Sequence, residues 1–299
     1  MRKISFTGRP ELTTTAEQPV PGPGQLLIRI ELTGVGLGLV RMINAGNGVD
    51  GGEIAGTVVA AGPDLAEWTG KRVCGLVFEG AFAEYALAVP QLLTEIPAGV
   101  DAADALALAR GGLIAQGLVR TARVAAGESV LITGAASGVG HLAVQAAKAR
   151  GASRVVAVVG NSGKAEFLRD CGADTVVTYD EPWGDPVDVV LDGVGGDLVQ
   201  RGVDALAAQG RLLAFSAGGG AVDANSLLAG LKTVTGFSMG MLSRTCGDLL
   251  EAWRAELWEL LAAGRIRPRT TVLPLEEIEA AIEIVASRRN LGRVAVRIA

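Results

Sequence analysis

Between residues 129 and 237 the chain alternates short β-branched runs with short helical ones, and this alternation limits its fold more than anything else in its 299 residues. Ser129–Thr133, Arg154–Val159, Thr175–Thr178, Val187–Asp192, Arg211–Ser216 and Lys232–Phe237 read as strands. Val139–Arg150, Lys164–Cys171 and Asp197–Ala208 read as helices. Such alternation makes βαβ units, which assemble into a parallel, doubly wound sheet. The first hundred residues differ. Gln25–Leu32, Ile54–Ala61, Arg72–Phe78 and Ala81–Val89 are strand-like runs set off by glycine and proline, the pattern of a compact, barrel-like β unit. Asp101–Arg123 reads as a helix broken at Gly111-Gly112. The remainder reads as a long helix (Asp248–Ala263), a loop through Arg265–Pro268, a helix after Pro274 and a last strand Val294–Ile298.

The first strand of the alternating region leads into its helix through Gly134-Ala-Ala-Ser-Gly-Val-Gly140. Small residues there let the chain turn tightly and bring backbone amides close to a pyrophosphate at the positive end of the helix. Ala135, Ala136, Ser137, Gly138, Val139 and Gly140 are therefore candidate cofactor-binding residues. A site for NAD places a carboxylate after the second strand, on the ribose hydroxyls. Here Gly160-Asn-Ser-Gly-Lys164 stands at that place. Asn161 and Ser162 are neutral hydrogen-bonding groups and Lys164 is a cation suited to a 2′-phosphate, so the expected cofactor is NADP(H).

Composition narrows the chemistry. A net charge of −5 disfavours a nucleic-acid partner, which calls for a basic face. The single histidine, His141, leaves little material for a zinc centre or a Ser-His-Asp triad. It is expected on a helix surface or at the pyrophosphate edge. Cys74, Cys171 and Cys246 are scattered and odd in number, which fits a reducing compartment, and Cys74 is expected to be buried and inert. No apolar leader run and no uncharged stretch of spanning length is seen, so the expected setting is cytoplasmic, without a membrane partner.

Further motifs carry a resemblance. They are Gly34-Val-Gly36, Gly52-Glu-Ile-Ala-Gly56, Lys71-Arg-Val-Cys-Gly75, Gly80-Ala-Phe-Ala-Glu-Tyr85, Gly172-Ala-Asp174, Asp192-Gly-Val-Gly-Gly196, Gly210-Arg-Leu and Asn290-Leu-Gly-Arg-Val294. In order and spacing, with the glycine loop, the chain resembles the medium-chain dehydrogenase/reductase superfamily, in particular its zinc-independent quinone and double-bond (enoyl) reductases. The resemblance implies a GroES-like, β-rich domain from residues 1–110 and 255–299, and a Rossmann domain over 111–254. It implies that Lys164 and Tyr179 face the adenosine phosphate and that Asn290 reaches the cofactor from the tail. Gly193 and Val194, with Phe215, Ser216, Phe237 and Ser238, would surround the nicotinamide. It also implies a homodimer paired through the Rossmann sheet edge.

Against the family pattern, the metal-ligand histidine position corresponds to Gly52, and no metal site is expected. Gly36, Leu39 and Ile114 stand where zinc-independent relatives carry Asn, Asp and Thr. Arg41 and Arg110 are candidates to stabilise an oxyanion. Tyr85 reads as core, and no catalytic residue is assigned. The implied activity is zinc-independent, NADPH-dependent hydride transfer to a quinone or an α,β-unsaturated carbonyl compound. The expected partner is a small apolar conjugated carbonyl, in a pocket supplied by Gly36–Met42, Ile114 and Met239–Leu242. Two alternatives remain open: a specialised polyketide-type biosynthetic reductase or cyclase, and a catalytically silent NADPH-binding sensor or structural protein.

Overall fold

The computed structural model describes residues 1–6 and 10–298. The chain divides into two units, Met1–Arg110 with Arg269–Ala299, and Gly111–Pro268. The first unit opens with β1 (Lys3–Phe6), β2 (Pro10–Thr13), β3 (Leu26–Val35), α1 (Leu37–Asn44), β4 (Gly52–Ala61), β5 (Arg72–Val77), β6 (Tyr85–Ala88), β7 (Leu93–Glu95) and α2 (Ala102–Ala107). The second contains α3 (Leu113–Thr121), β8 (Ser129–Thr133), α4 (Gly140–Ala149), β9 (Arg154–Val159), α5 (Ala165–Asp170), β10 (Thr175–Thr178), β11 (Val187–Asp192) and α6 (Asp197–Asp204). It continues with β12 (Leu206–Ala214), α7 (Ala224–Gly230), β13 (Thr233–Gly236), α8 (Met239–Thr245) and α9 (Gly247–Ala262). The tail, β14 (Thr270–Pro274), α10 (Ile278–Ala286) and β15 (Arg293–Arg297), returns to the first unit.

The first unit is built on a seven-stranded sheet in the order β14-β15-β3-β4-β5-β7, with β6 also paired to β3. Its pairs are antiparallel except β14 with β15. Ile28, Ile30, Ile54, Val58 and Val73 fill its core, and the Phe6 and Phe82 rings meet edge to face at 5.0 Å. A Cβ at Gly56 would overlap the carbonyl oxygen of Arg29, so glycine lets β4 lie this close to β3.

In the second unit the strands are parallel in the order β10-β9-β8-β11-β12-β13. From β8 the chain fills one half of the sheet outward through β9 and β10, then returns beside β8 with β11 and fills the other half. This reversal opens a crevice at the carboxyl ends of β8 and β11, where ligands of such sheets bind. Together the two units form the GroES-like plus Rossmann architecture.

Several elements depart from the sequence reading. Gly111-Gly112 does not break the helix; Leu108–Gly112 forms a π-helical turn between α2 and α3, a wide turn that keeps the backbone helical. The run Ala102–Thr121 is long and apolar enough to cross a membrane, but it is mostly buried within the protein. The second change of unit falls at 268/269 rather than at 254/255. α9 crosses the expected boundary, and its Trp253 lies over Gly117 of α3, which keeps the whole helix with the second unit.

Arg211 of β12 fixes the segment that leads into β8. Its guanidinium grips the Glu128 carboxylate through Nη1 at 2.9 Å and Nη2 at 2.7 Å, and it also donates to the carbonyls of Ala122 and Arg123. The Arg211 hydrogen bonds, above all, hold the Glu128 carboxyl below its ordinary value of 4.5. A depressed carboxyl stabilises the fold while ionised. Its contribution is therefore complete above about 4.5 and disappears as pH falls through the lower folded value. Arg211→Met should lower unfolding free energy by about 2 kcal/mol at neutral pH. In urea titrations the gap to the unvaried protein should close as pH drops below 4.5.

Candidate functional site

The glycine loop after β8 is closed by its own residues. The amide of Ser137 donates to Gly134 O, and the Ser137 hydroxyl accepts from the Gly140 amide at 3.0 Å. A Cβ at Gly140 would overlap Gly134 O, so only glycine lets α4 begin so close beneath the loop. The amides of Ala136, Gly138 and Val139 find no acceptor among the described residues. Three such donors at the amino end of a ten-residue helix are what an anionic pyrophosphate requires. The loop expected to bind a dinucleotide thus fits one.

At the end of β9, Gly160, Asn161, Ser162 and Gly163 are exposed, and Ser162–Lys164 is a 3-10 turn leading into α5. The Tyr179 amide donates to Val159 O, and its ring lies over Gly160, 3.7 Å from the position of a Cβ. The structure therefore brings Asn161, Ser162, Lys164 and Tyr179 to one corner. No carboxylate from residues 160–164 enters it, because that stretch contains none.

The loop after β11 hangs on the fully buried Asp192. Its carboxylate accepts from Thr133 Oγ1 at 2.6 Å, from the Gly195 amide at 2.9 Å and from the Val194 amide at 3.4 Å. Thr133 Oγ1 in turn accepts from the Gly193 amide at 3.0 Å. Val194 O receives the Ser216 hydroxyl at 2.9 Å, and the Phe215 ring closes over Gly193. One network thus ties together the carboxyl ends of β8, β11 and β12. Phe237 follows β13 and turns its ring toward Gly117, while Ser238 caps α8 by accepting from the Met241 amide.

His141 is fully buried, not on the helix surface. Its Nδ1 is 2.9 Å from Ser137 O, and its ring lies beside Phe167. Every residue of its helix from Gly140 to Ala147 is buried. Cys74 is buried, as expected; Tyr85 is half-buried on β6.

Asn290, Arg41, Arg110, Gly36 and Gly52 lie in the first unit and are described within it. Asn290 donates to Gly292 O at 2.9 Å. Sequence reasoning missed a cluster around Glu53, whose nearly buried carboxylate accepts from Arg293 at 2.6 Å and Arg110 at 3.1 Å. The Arg293 guanidinium occupies the space that side chains at Gly34 and Gly36 would need. Arg110 stays 54% exposed with one nitrogen on Glu53, and Arg41 lies exposed in the last turn of α1. A Cβ at Gly52 would press on Ala81 Cβ at 3.0 Å, and no group of three or more His, Cys, Asp or Glu side chains gathers among the described residues. Thr133→Val should remove a donor from Asp192 and strand the Gly193 amide. It should cost about 1–3 kcal/mol in urea unfolding, with the fold retained.

Known proteins share this architecture. Residues 138–262 match the family model described as zinc-binding dehydrogenase. A mycobacterial protein, Rv1454c, solved in complex with NADPH, is 30% identical, superposes with a TM-score of 0.87, and the match covers 99% of each chain. The 2-haloacrylate reductase of a Burkholderia species is 28% identical over 92% of this chain and 91% of its own length. A mycocerosic acid synthase-like polyketide synthase of Mycolicibacterium smegmatis is 28% identical over 95% of this chain, which spans only 14% of that protein. With the cradle, the acid-free corner and the two-unit fold, these matches have one reading. The chain belongs to the medium-chain dehydrogenase/reductase superfamily of oxidoreductases, whose members bind NADP(H), and is similar to its quinone oxidoreductases and reductases.

Proposed function

We propose that this oxidoreductase uses NADPH to reduce a quinone or an α,β-unsaturated carbonyl compound without zinc. The observation that carries the reading is the corner at the end of β9, where Lys164 and Tyr179 gather and no acid stands on the ribose. Lys164 pairs with the 2′-phosphate, Tyr179 lies against the adenosine phosphate, and Asn161 and Ser162 hydrogen-bond beside it. The amides of Ala136, Gly138 and Val139 hold the pyrophosphate. Gly193, Val194, Phe215, Ser216, Phe237 and Ser238 shape the nicotinamide end.

When bound, the cofactor supplies a hydride equivalent. The chain's own part is to orient the acceptor and stabilise the charge that develops on its oxygen. Arg110 suits that role: its guanidinium is a cation whose direction Glu53 fixes. The proton that completes the reduction comes from water, because a conjugated acceptor stabilises its own enolate or hydroquinone anion.

A biosynthetic enoyl-thioester substrate is the second reading. It is favoured by the alignment of nearly the whole chain with one segment of polyketide synthases. The protein is further proposed to be a cytoplasmic homodimer. β13 is an edge strand, and Leu228 and Leu231 nearby are 75% and 70% exposed, a surface suited to a second copy.

Titration should give tighter binding of NADPH than NADH. Lys164→Ala should weaken NADPH about ten- to a hundredfold and leave NADH nearly unchanged; equal binding of both cofactors by the unvaried protein would sink the assignment. Loss of NADPH absorbance should accompany turnover of at least one among small quinones, enones and enoyl thioesters. With that substrate, Arg110→Met should lower kcat about ten- to a hundredfold with little change in KM. An unchanged kcat removes Arg110 from the chemistry.

A further inference from the structure

Tyr179 stands in the adenosine-phosphate corner, but the segment that carries it, residues 179–186, is a loop between β10 and β11. Three contacts on this loop converge on one side chain of α6. The guanidinium of Arg201 donates through Nη1 to the carbonyl oxygen of Tyr179 and through Nη2 to that of Glu181. Its carbon lies 4.2 Å from the centroid of the Trp183 ring, within cation–π range. Trp183 is itself buried against Val187, Val199, Val203 and Leu206. The first turn of the loop closes separately, through the Thr178 amide on the Glu181 carboxylate at 2.6 Å.

Arg201 is held as firmly as what it holds. Next to it, Gly202 faces the sheet, where a Cβ would come 2.7 Å from Leu212 Cδ1 and 3.1 Å from Val190 Cγ1. The glycine thus seats α6 directly on β11 and β12. The backbone of Tyr179 is consequently fixed on both sides, by its amide on β9 and by its carbonyl on α6. From that fixed backbone the ring extends over Gly160.

We infer that Arg201 is a positioning residue for cofactor choice: through the Tyr179 and Glu181 carbonyls and the Trp183 ring it sets the half of the 2′-phosphate corner that Tyr179 supplies. The inference rests on the NADPH reading above. Arg201 has no part in the phosphate loop, so its influence falls on the 2′-phosphate end alone. Both of its acceptors are carbonyl oxygens, which need a donor in a fixed fork. Lysine, with one ammonium on a flexible stem, meets only part of that need.

The test measures dissociation constants of NADPH, NADH, 2′,5′-ADP and 5′-AMP for the full chain and for Arg201→Met and Arg201→Lys. Arg201→Met should weaken NADPH and 2′,5′-ADP about tenfold, with NADH and 5′-AMP within about twofold, and Arg201→Lys should fall between. Equal weakening of phosphorylated and unphosphorylated ligands would show a merely structural role and overturn the inference, as would unchanged NADPH affinity. If Arg201→Met fails to fold, the selective loss in Arg201→Lys decides the matter by the same ratio. No preference for NADPH in the unvaried protein overturns the cofactor reading itself, a result distinct from unselective loss in the variants.

Discussion

Asp192 is a carboxylate with no exposed surface, and its recorded partners are neutral: one hydroxyl and two backbone amides. Burying a charge costs several kcal/mol unless each lone pair is met, so this group tolerates little change around it. Meeting it demands that the chain after β11 turn back at once and point its amides inward. Gly195, at φ +84, and Gly196, at φ +63, make that reversal possible. Once the amides face Asp192, Val194 O faces the other way, where Ser216 reaches it. One internal charge thus sets the shape of two loops at the carboxyl edge of the sheet. A cofactor site needs such rigidity, since affinity gained by pre-organisation is not spent again on ordering loops.

Glycine serves two ends here that composition alone does not separate. At Gly140 it removes a side chain so that backbone can approach backbone, which is also what an approaching pyrophosphate needs. At Gly34 and Gly36 it makes room for a side chain from far along the sequence, the Arg293 guanidinium. A reading confined to the sequence takes Gly36 as a lost polar group, because nothing local shows what occupies the space. Arg293 lies some 240 positions from Glu53, its partner, and the pairing of β15 with β3 and of β3 with β4 brings them together.

This difference in range explains which parts were legible. Ser129–Thr133, Arg154–Val159, Thr175–Thr178 and Val187–Asp192 have the bounds read from sequence, since each is a short β-branched or aliphatic run and all but the edge strand Thr175–Thr178 are largely buried. The glycine loop was legible because its function resides in local backbone geometry. The strands β1, β2 and β14 were not: β2 is mostly exposed and β14 carries little apolar alternation, so pairing partners rather than their own residues define them. The full burial of His141 and the π turn at Leu108–Gly112 were not legible for a related reason. Both depend on what α3 and α4 lie against, and helix register alone does not report that.

The substrate end poses the opposite problem, since its chemistry must be carried by few groups. Under the function proposed above, the acceptor's own chemistry matters, because reducing an isolated aldehyde creates an alkoxide that calls for a metal or a nearby acid. A quinone or conjugated enone is different, because hydride addition places the charge on an enolate or phenolate oxygen that is already stabilised by delocalisation. For such an acceptor a fixed cation suffices, and a guanidinium needs no protonation step to remain one. Glu53 holds Arg293 inside and leaves Arg110 half outside, so one of its two cations is structural and the other is available. Under the function proposed above, the exposed Arg110 guanidinium suits acceptors that stabilise their own anion.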